Sequence, residues 1–236
     1  MTNSMIKKIK RLAFILAGGG LYFMAFFFVE DRKVPVTILH TPLDDIIPFC
    51  EYFIIPYLMW FVFVIAAVLY FTLFNEKDNE FHSFIASLIF GMGLFILISF
   101  LFPNGQNLRP DLGMGNNIFQ KACIRLYGND TSTNILPSLH VYNAVACNIA
   151  FSKNERVRNR PVLITFINVL TVMIVLSTMF LKQHCVIDVV AALVLNYIAY
   201  LAFYKAAYAA KVSEKLSVIE NHGFMAYRRR RRHDTH

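Results

Sequence analysis

Five long apolar runs dominate this sequence, at residues 11–29, 52–74, 82–102, 161–181 and 186–208. A helix needs about 20 apolar residues to cross the hydrocarbon core of a bilayer, and each run has roughly that length. Hydrophobic residues make up 57% of the 236-residue chain, which is more apolar surface than a soluble domain of this size can bury. The sequence therefore predicts an all-α, polytopic membrane protein built as one compact membrane domain.

The number of spanning helices follows from the positions of the basic clusters. Lysines and arginines gather at residues 7–11, 153–160 and 228–232. Such clusters mark the cytoplasmic ends of membrane helices. With five helices the second and third clusters fall on the side opposite the first, whereas a sixth helix at 138–152 brings all three to one side. We therefore predict six transmembrane helices, with both termini in the cytoplasm.

This threading places three connecting segments together at the extracytoplasmic surface. They are the loops 30–51 and 103–137 and the short turn near residue 182. Four polar side chains that lie far apart in the sequence are then expected to meet there: Arg109, His140, His184 and Asp188. Ionisable groups at the edge of a membrane segment usually serve a function, so this cluster is the candidate site.

His184 and Asp188 are the most informative pair of the cluster. Side chains four residues apart share one face of a helix. A carboxylate beside an imidazole holds one tautomer and stabilises the imidazolium, which leaves the other ring nitrogen available to attack or to bind. The alternative interpretation is a structural hydrogen bond at the start of a helix.

The other side chains of the cluster suit an anion. Ser138 and His140 lie where the fourth helix begins, and a helix N-terminus presents free N–H groups. Arg109 carries a fork of donors that matches a phosphate. Each of these residues also has a structural alternative. Ser138 and His140 suit a plain helix cap, and Arg109 suits a solvated loop side chain. Lys182, two residues before His184, suits a side chain that reaches the membrane interface. Together the cluster supplies a nucleophile, a proton donor and positive charge, which phosphoryl transfer requires.

Three short motifs follow one another along the chain: Arg109-Pro110, PSLH at 137–140, and STMFLKQHCVID at 177–188. In order and spacing they resemble the RP, PSxH and Hx3D motifs of the type 2 phosphatidic acid phosphatase (PAP2) superfamily. The resemblance implies a PAP2-like helical bundle with the activity of a membrane lipid phosphatase or phosphotransferase. The chain then divides into an N-terminal two-helix membrane segment at 1–84, a catalytic helical core at 85–210 and a basic cytoplasmic tail at 211–236.

The resemblance also implies a role for each site residue. His184 takes up the phosphoryl group as the nucleophile, Asp188 orients it, and His140 protonates the leaving alkoxide. Ser138, Arg109 and nearby backbone N–H groups hold the phosphate oxygens. Neither a metal nor another cofactor is expected, because the family needs none.

The sequence departs from the family pattern at two cations. Phe102 stands where the family has a lysine, and Thr178 stands where it has an arginine. We expect Lys182 to replace one of these charges, and Gln106 and Asn104 to donate neutral hydrogen bonds. The same losses occur in the sphingomyelin-synthase-like and inositol-phosphorylceramide-synthase-like branches, which move a headgroup between lipids. The sequence therefore leaves both water and an alcohol open as the acceptor.

Three functional interpretations follow. The first is a plasma-membrane lipid phosphatase that hydrolyses a phosphate monoester or diphosphate through a phosphohistidine at the extracytoplasmic face. The second is a lipid phosphotransferase that moves a phospho-headgroup to a lipid or polyol hydroxyl. The third is a non-enzymatic membrane protein with a decayed site. The expected partners are the lipid phosphate substrate and membrane lipids, not nucleic acid, while the identity of the lipid and the oligomeric state stay open.

Two features of the expected outer loops also leave alternatives. Cys50 and Cys123 could form a disulfide, although none of the four cysteines has the spacing of a metal or redox motif. Asp44 and Asp45 are expected to cap a helix, and contact with a polar headgroup is the alternative.

Overall fold

The computed structural model describes residues 3–205 of the chain and shows a bundle of α-helices. The helices are α1 (Asn3–Glu30), α2 (Pro42–Ile46), α3 (Ile54–Leu69), α4 (Asp78–Leu101), α5 (Ile118–Asn129), α6 (Leu139–Lys153), α7 (Glu155–Arg158), α8 (Pro161–Phe180) and α9 (Val186–Tyr200). A 3-10 turn at Glu51–Phe53 leads into α3, and π-helical segments at Tyr70–Phe74 and Leu201–Lys205 extend α3 and α9. The expected basic tail at 211–236 lies outside the described residues.

Five helical stretches of the described part are long and apolar enough to cross a membrane: Asn3–Glu30, Glu51–Phe74, Asp78–Leu101, Pro161–Phe180 and Val186–Lys205. They overlap the five apolar runs of the sequence. Many of their large apolar side chains, such as Leu21, Val62 and Val194, are more than half exposed at the surface of the bundle. Lipid tails solvate such side chains as well as other helices do. The predicted all-α membrane fold is confirmed.

The additional helix predicted at 138–152 corresponds to α6, which is shorter and lies at the centre of the bundle. It packs against α3, α4, α8 and α9. Small buried side chains on α6 let these neighbours approach closely: Ala144, Ala146, Cys147 and Ala150. Gly91 of α4 lies directly on the ring of Tyr142, whose hydroxyl donates a 2.7 Å hydrogen bond to the Ser87 carbonyl. Because its neighbours surround it, α6 can be less apolar than the outer helices.

Contacts at both of its ends show that α6 runs the full length of the bundle. Its first turn meets the turn between α8 and α9. At its other end, Asn154 donates a 2.6 Å hydrogen bond to Glu80 in the first turn of α4. Lys7 of α1 pairs with Asp78 at 2.7 Å at this same end. The N-terminal basic cluster and the cluster after α6 therefore lie at one end of the bundle, as threading with six helices predicts.

Short segments cover the opposite end of the bundle. Strands β1 (Thr37–Ile38) and β2 (Asn104–Gly105) pair in parallel and join the segment after α1 to the segment after α4. The side chain of Asn104 is fully buried. It donates to the Phe102 carbonyl at 2.8 Å and accepts 2.9 Å bonds from two backbone N–H groups just before α6. This layer fixes the segment that leads into α6.

Candidate active site

The turn between α8 and α9 positions His184. The backbone N–H groups of Gln183 and His184 donate to the Thr178 carbonyl at 3.0 and 3.1 Å, which fixes the turn to the end of α8. The Nδ1 atom of His184 lies 2.6 Å from Oδ2 of Asp188, a fully buried carboxylate in the first turn of α9. The two side chains meet as expected, although His184 precedes α9 instead of lying on it.

A second histidine faces the first across the start of α6. The Nδ1 atom of His140 lies 3.4 Å from Nε2 of His184, and 44 residues separate the two in sequence. Ser138 caps α6 because its hydroxyl accepts a 3.3 Å bond from Val141 N. Its own backbone N–H donates to the Asp188 carbonyl at 3.2 Å, which ties the beginning of α6 to the beginning of α9. The fold therefore brings the second and third motifs together.

Two aromatic side chains of α3 enclose His140. The ring centroids of Tyr57 and Trp60 lie 4.6 and 4.5 Å from that of His140. The Tyr57 hydroxyl donates a 2.8 Å hydrogen bond to Asp130, at the end of α5. No sequence pattern points to Tyr57, Trp60 or Asp130 as residues of the site. Both aromatics lie in a long apolar run, where they look like ordinary packing residues, and Asp130 lies in a loop without a motif.

Arg109 lies at the edge of the same cluster. Its guanidinium donates to the Thr131 and Tyr127 carbonyls at 2.8 and 3.2 Å, and it also bonds the side-chain oxygen of Gln183, the residue before His184. Burial lowers the pKa of the Arg109 guanidinium, and the carboxylate of Asp130 opposes that shift. Arginine stays protonated at any physiological pH. Arg109 therefore brings a positive charge to the site, although carbonyls occupy several of its donors.

Lys182 is placed differently from the expectation that it faces the phosphate. Its ammonium donates to the Asp44 carbonyl at 2.6 Å and to the Ile47 carbonyl, both in or next to α2. The residue has a φ of 53° and its side chain is 9% exposed. Lys182 thus links the turn that carries His184 to α2, and two of the three donors of its ammonium are already bound to carbonyls of the protein.

Gln106 and Asn104 are also bound to protein groups. The Gln106 amide nitrogen donates a 2.8 Å bond to the Lys182 carbonyl, and its oxygen accepts from Leu108 N. Gln106 is 3% exposed and Asn104 is fully buried. Both amides hold backbone segments around the site, so the structure assigns them a supporting position instead of the expected open donor groups.

Asp44 contributes to the cap of α2 as the N3 residue after the N-cap Thr41, whereas Asp45 pairs with His40, and Asp44 has a second contact that the sequence did not indicate. Its Oδ2 atom accepts from Thr41 N and Thr41 Oγ1 at 2.7 and 2.8 Å in a capping box at the start of α2. Its Oδ1 atom accepts a 2.7 Å bond from Val186 N, the first residue of α9. Asp44 therefore stabilises the helix that carries Asp188.

Positions 102 and 178, where the family pattern has a lysine and an arginine, carry uncharged side chains. Phe102 ends α4 with a 41% exposed side chain, and the Thr178 hydroxyl donates to the Val175 carbonyl at 2.7 Å inside α8. Cys50 and Cys123 are both free thiols. Within residues 3–205, no group of three or more histidine, cysteine, aspartate or glutamate side chains has the arrangement of a metal site.

Comparison with protein-family models gives a match to the PAP2 superfamily over residues 84–211. The chain belongs to the PAP2 superfamily. The matched segment contains all three motifs and both histidines of the site. Searches of curated proteins and of solved structures give no match. Membership supports an enzyme of the lipid phosphatase or phosphotransferase type, in agreement with the expectation from the motifs.

Proposed function

We propose that this PAP2 protein is an integral membrane lipid phosphatase that hydrolyses a lipid phosphate monoester or diphosphate through a phosphohistidine. The arrangement around His184 is the observation that supports this proposal. Asp188 binds Nδ1 at 2.6 Å, and this leaves Nε2 directed toward His140 at 3.4 Å. A nucleophile held by an orienting group and facing a proton donor is the minimum set for covalent phosphoryl transfer.

In the first step, the Nε2 lone pair of His184 attacks phosphorus and forms the P–N bond. The bond between phosphorus and the lipid alkoxide breaks, and His140 donates a proton to that oxygen. Asp188 accepts the Nδ1–H hydrogen bond throughout and stabilises the positive charge that develops on the imidazole. The lipid alcohol leaves, and the phosphoryl group stays on His184.

In the second step, water attacks the phosphohistidine. His140, now neutral, accepts a proton from the water, so the acid of the first step is the base of the second. The P–N bond breaks, inorganic phosphate leaves, and His184 returns to its starting state. We assign the stabilisation of the oxygens that become negative in both steps to the N–H groups at the start of α6 and to the guanidinium of Arg109.

A lipid phosphotransferase is the second candidate, and the charge of the site favours it. Uncharged side chains occupy positions 102 and 178, and backbone carbonyls hold the ammonium of Lys182. A monoester dianion needs more compensating positive charge than a phosphodiester headgroup, which carries one negative charge. In this reaction a lipid or polyol hydroxyl replaces water in the second step. A decayed, non-enzymatic site is the weaker interpretation, because the His184–Asp188 pair is intact.

The proposal includes an orientation in the plasma membrane. Basic clusters favour the cytoplasmic side, and both described clusters lie at the end of the bundle opposite His184. The active site then faces the extracytoplasmic surface, where it meets lipid headgroups, and both termini are cytoplasmic.

Purified protein incubated with labelled lipid phosphates tests the function. Release of phosphate without an added alcohol supports the phosphatase, and a new labelled lipid in the presence of an alcohol or lipid acceptor supports the transferase.

The reaction is expected to survive EDTA, and recovery only after a divalent ion is added back would contradict metal independence. The His40→Ala variant is the matched control for His184→Ala, because His40 is an exposed histidine that pairs with Asp45. If neither product forms with any lipid phosphate, the proposed function is wrong.

A further inference from the structure

A cavity of about 350 Å³ opens at the end of the bundle opposite His184, between the first turns of α1 and α4. Six of the side chains that line it are Ile6, Lys7, Lys10, Arg11, Asp78 and His82. None of them belongs to the proposed active site. A small cavity with this many ionisable side chains is suited to a charged ligand. The net charge of the cavity decides whether that ligand is an anion or a cation.

The cavity is positively charged. Lys7 and Arg11 share the single carboxylate of Asp78, at 2.7 and 2.6 Å. Lys10 makes no hydrogen bond or ion pair with any side chain of residues 3–205, and its side chain is exposed. Three cations against one carboxylate leave two unbalanced positive charges in one cavity. This excess favours an anion with more than one oxygen available for hydrogen bonding.

Arg11 forms a rigid wall of the cavity. It is 7% exposed and donates to the Asn75 carbonyl at 2.7 Å and to the Phe71 carbonyl at 3.2 Å. Its guanidinium lies 4.2 Å from the centre of the Phe81 ring. A cation that the protein already holds in place loses little conformational entropy when a ligand binds. The cavity therefore presents one fixed and two more mobile positive groups.

The surroundings of the cavity indicate the rest of the ligand. Ile6 contributes an apolar wall, and the residues that follow Arg11 on α1 include Phe14 and Leu16, which are 54% and 67% exposed. The apolar part of α1 thus begins one turn from the cationic cavity, as the hydrocarbon begins just below the headgroups of a leaflet. A soluble phosphate makes no use of this apolar surface.

We propose that this cavity binds the phosphate of an anionic phospholipid headgroup, with the acyl chains of the lipid lying along α1. The bound lipid joins α1 to α4 at the end of the bundle remote from catalysis. The site does not depend on the proposed reaction, so it can be tested in a protein without turnover. A polybasic surface next to a membrane gains about 1 kcal/mol per lysine from anionic lipid, which sets the scale of the expected effect.

Native mass spectrometry of the full-length protein in detergent provides the test. Phosphatidylglycerol and phosphatidylcholine with identical acyl chains are titrated against wild type, Lys10→Gln and Lys8→Gln. Lys8 is the matched control because it is an exposed lysine on the same helix that does not line the cavity. We expect one phosphatidylglycerol to bind preferentially to the wild type, about fivefold weaker binding to Lys10→Gln, and unchanged binding to Lys8→Gln.

Three outcomes overturn the proposal. Equal losses in Lys8→Gln and Lys10→Gln show a diffuse attraction to the membrane surface instead of a site. Unchanged binding in Lys10→Gln shows that the lipid lies elsewhere. Finally, glycerol 1-phosphate is added as a competitor: displacement of the lipid at an equal concentration identifies a soluble phosphate ligand, whereas persistence of the lipid adduct supports the phospholipid. Both lysines are exposed, so both variants are expected to fold.

Discussion

The Nε2 atom of His184 and the Nδ1 atom of His140 lie 3.4 Å apart, at the upper limit of a hydrogen bond. Only one of these two atoms can donate, so the pair shares one proton at most. A phosphorus atom that is attacked by His184 must enter next to this contact and separate the rings. In the proposed mechanism, this contact places the proton donor beside the nucleophile and defines where the leaving oxygen passes.

We expect the two histidines to differ in their dependence on the leaving group. His184→Ala should abolish turnover with every substrate, because no covalent intermediate can form. His140→Ala should slow substrates with basic leaving groups most, since an acidic leaving group needs little protonation. A series of phosphate esters with leaving groups of graded pKa measures this difference. Equal losses of both variants across the series would falsify the division of roles.

Asp188 can be tested without changing the shape of the site. Asp188→Asn keeps a similar volume but presents an amide to Nδ1, so it favours the wrong tautomer of His184. By analogy with His–Asp pairs in other enzymes, we expect the chemical step to slow by about 10⁴-fold. Rapid-quench measurement of phosphohistidine formation reports this step directly. A slowing of less than tenfold, in a protein that unfolds at the wild-type temperature, contradicts the assigned role.

The Tyr57 variants separate the hydroxyl of this residue from its ring. Tyr57→Phe removes the 2.8 Å bond to Asp130 but retains the ring against His140, and we expect a loss of about 1–3 kcal/mol of stability. Tyr57→Ala also empties a fully buried position, at a cost of about 3–5 kcal/mol. Thermal unfolding in detergent measures both. Tyr52, which is 59% exposed, supplies the control substitution Tyr52→Phe. Stability equal to wild type in Tyr57→Phe contradicts a structural role for the hydroxyl.

Lys182→Met tests whether the ammonium links the turn to α2 or contacts the phosphate. The bonds to the Asp44 and Ile47 carbonyls predict a lower unfolding temperature, while the folded protein still forms phosphohistidine at a near-normal rate. A phosphate contact predicts the reverse, with unchanged stability and a chemical step slower by about 10²-fold or more. Single-turnover kinetics together with thermal unfolding distinguish the two outcomes. Lys182→Arg should recover part of the loss in either case, because the charge is kept.

Labelling of engineered cysteines tests the orientation in the membrane. We expect positions 108 and 128 to react with an impermeant reagent from outside the cell, and position 155 to react only after permeabilisation. The described basic clusters lie at the end of the bundle that contains position 155, and such clusters stay on the cytoplasmic side. The opposite labelling pattern would place the site at the cytoplasmic face.

Local pattern alone identified the five long apolar helices and the two histidines. An apolar run of sufficient length becomes a membrane helix whatever its neighbours, since every backbone polar group must be bonded within the lipid. Counting basic clusters then identified α6, although its own hydropathy is weak. The spacing of four residues between His184 and Asp188 indicated that the two side chains meet, although His184 lies in the turn just before α9. The apolar runs and the histidine–aspartate spacing depend on short stretches of chain, and the cluster count depends on their order along it, so the sequence by itself determined them.

The tertiary structure decided what surrounds the histidines. The ammonium of Lys182 binds a carbonyl 138 residues away, and the hydroxyl of Tyr57 binds Asp130, 73 residues away. Sequence periodicity does not predict such contacts, because they depend on how whole helices and loops pack. Buried polar groups are hydrogen-bonded in folded proteins, and the packing decides which partner each one finds. The ammonium of Lys182 is bound to two carbonyls in or next to α2, a contact that its position in the sequence did not indicate. The direction of a long, flexible side chain is therefore set by the fold, whereas its position in the chain is set by the sequence.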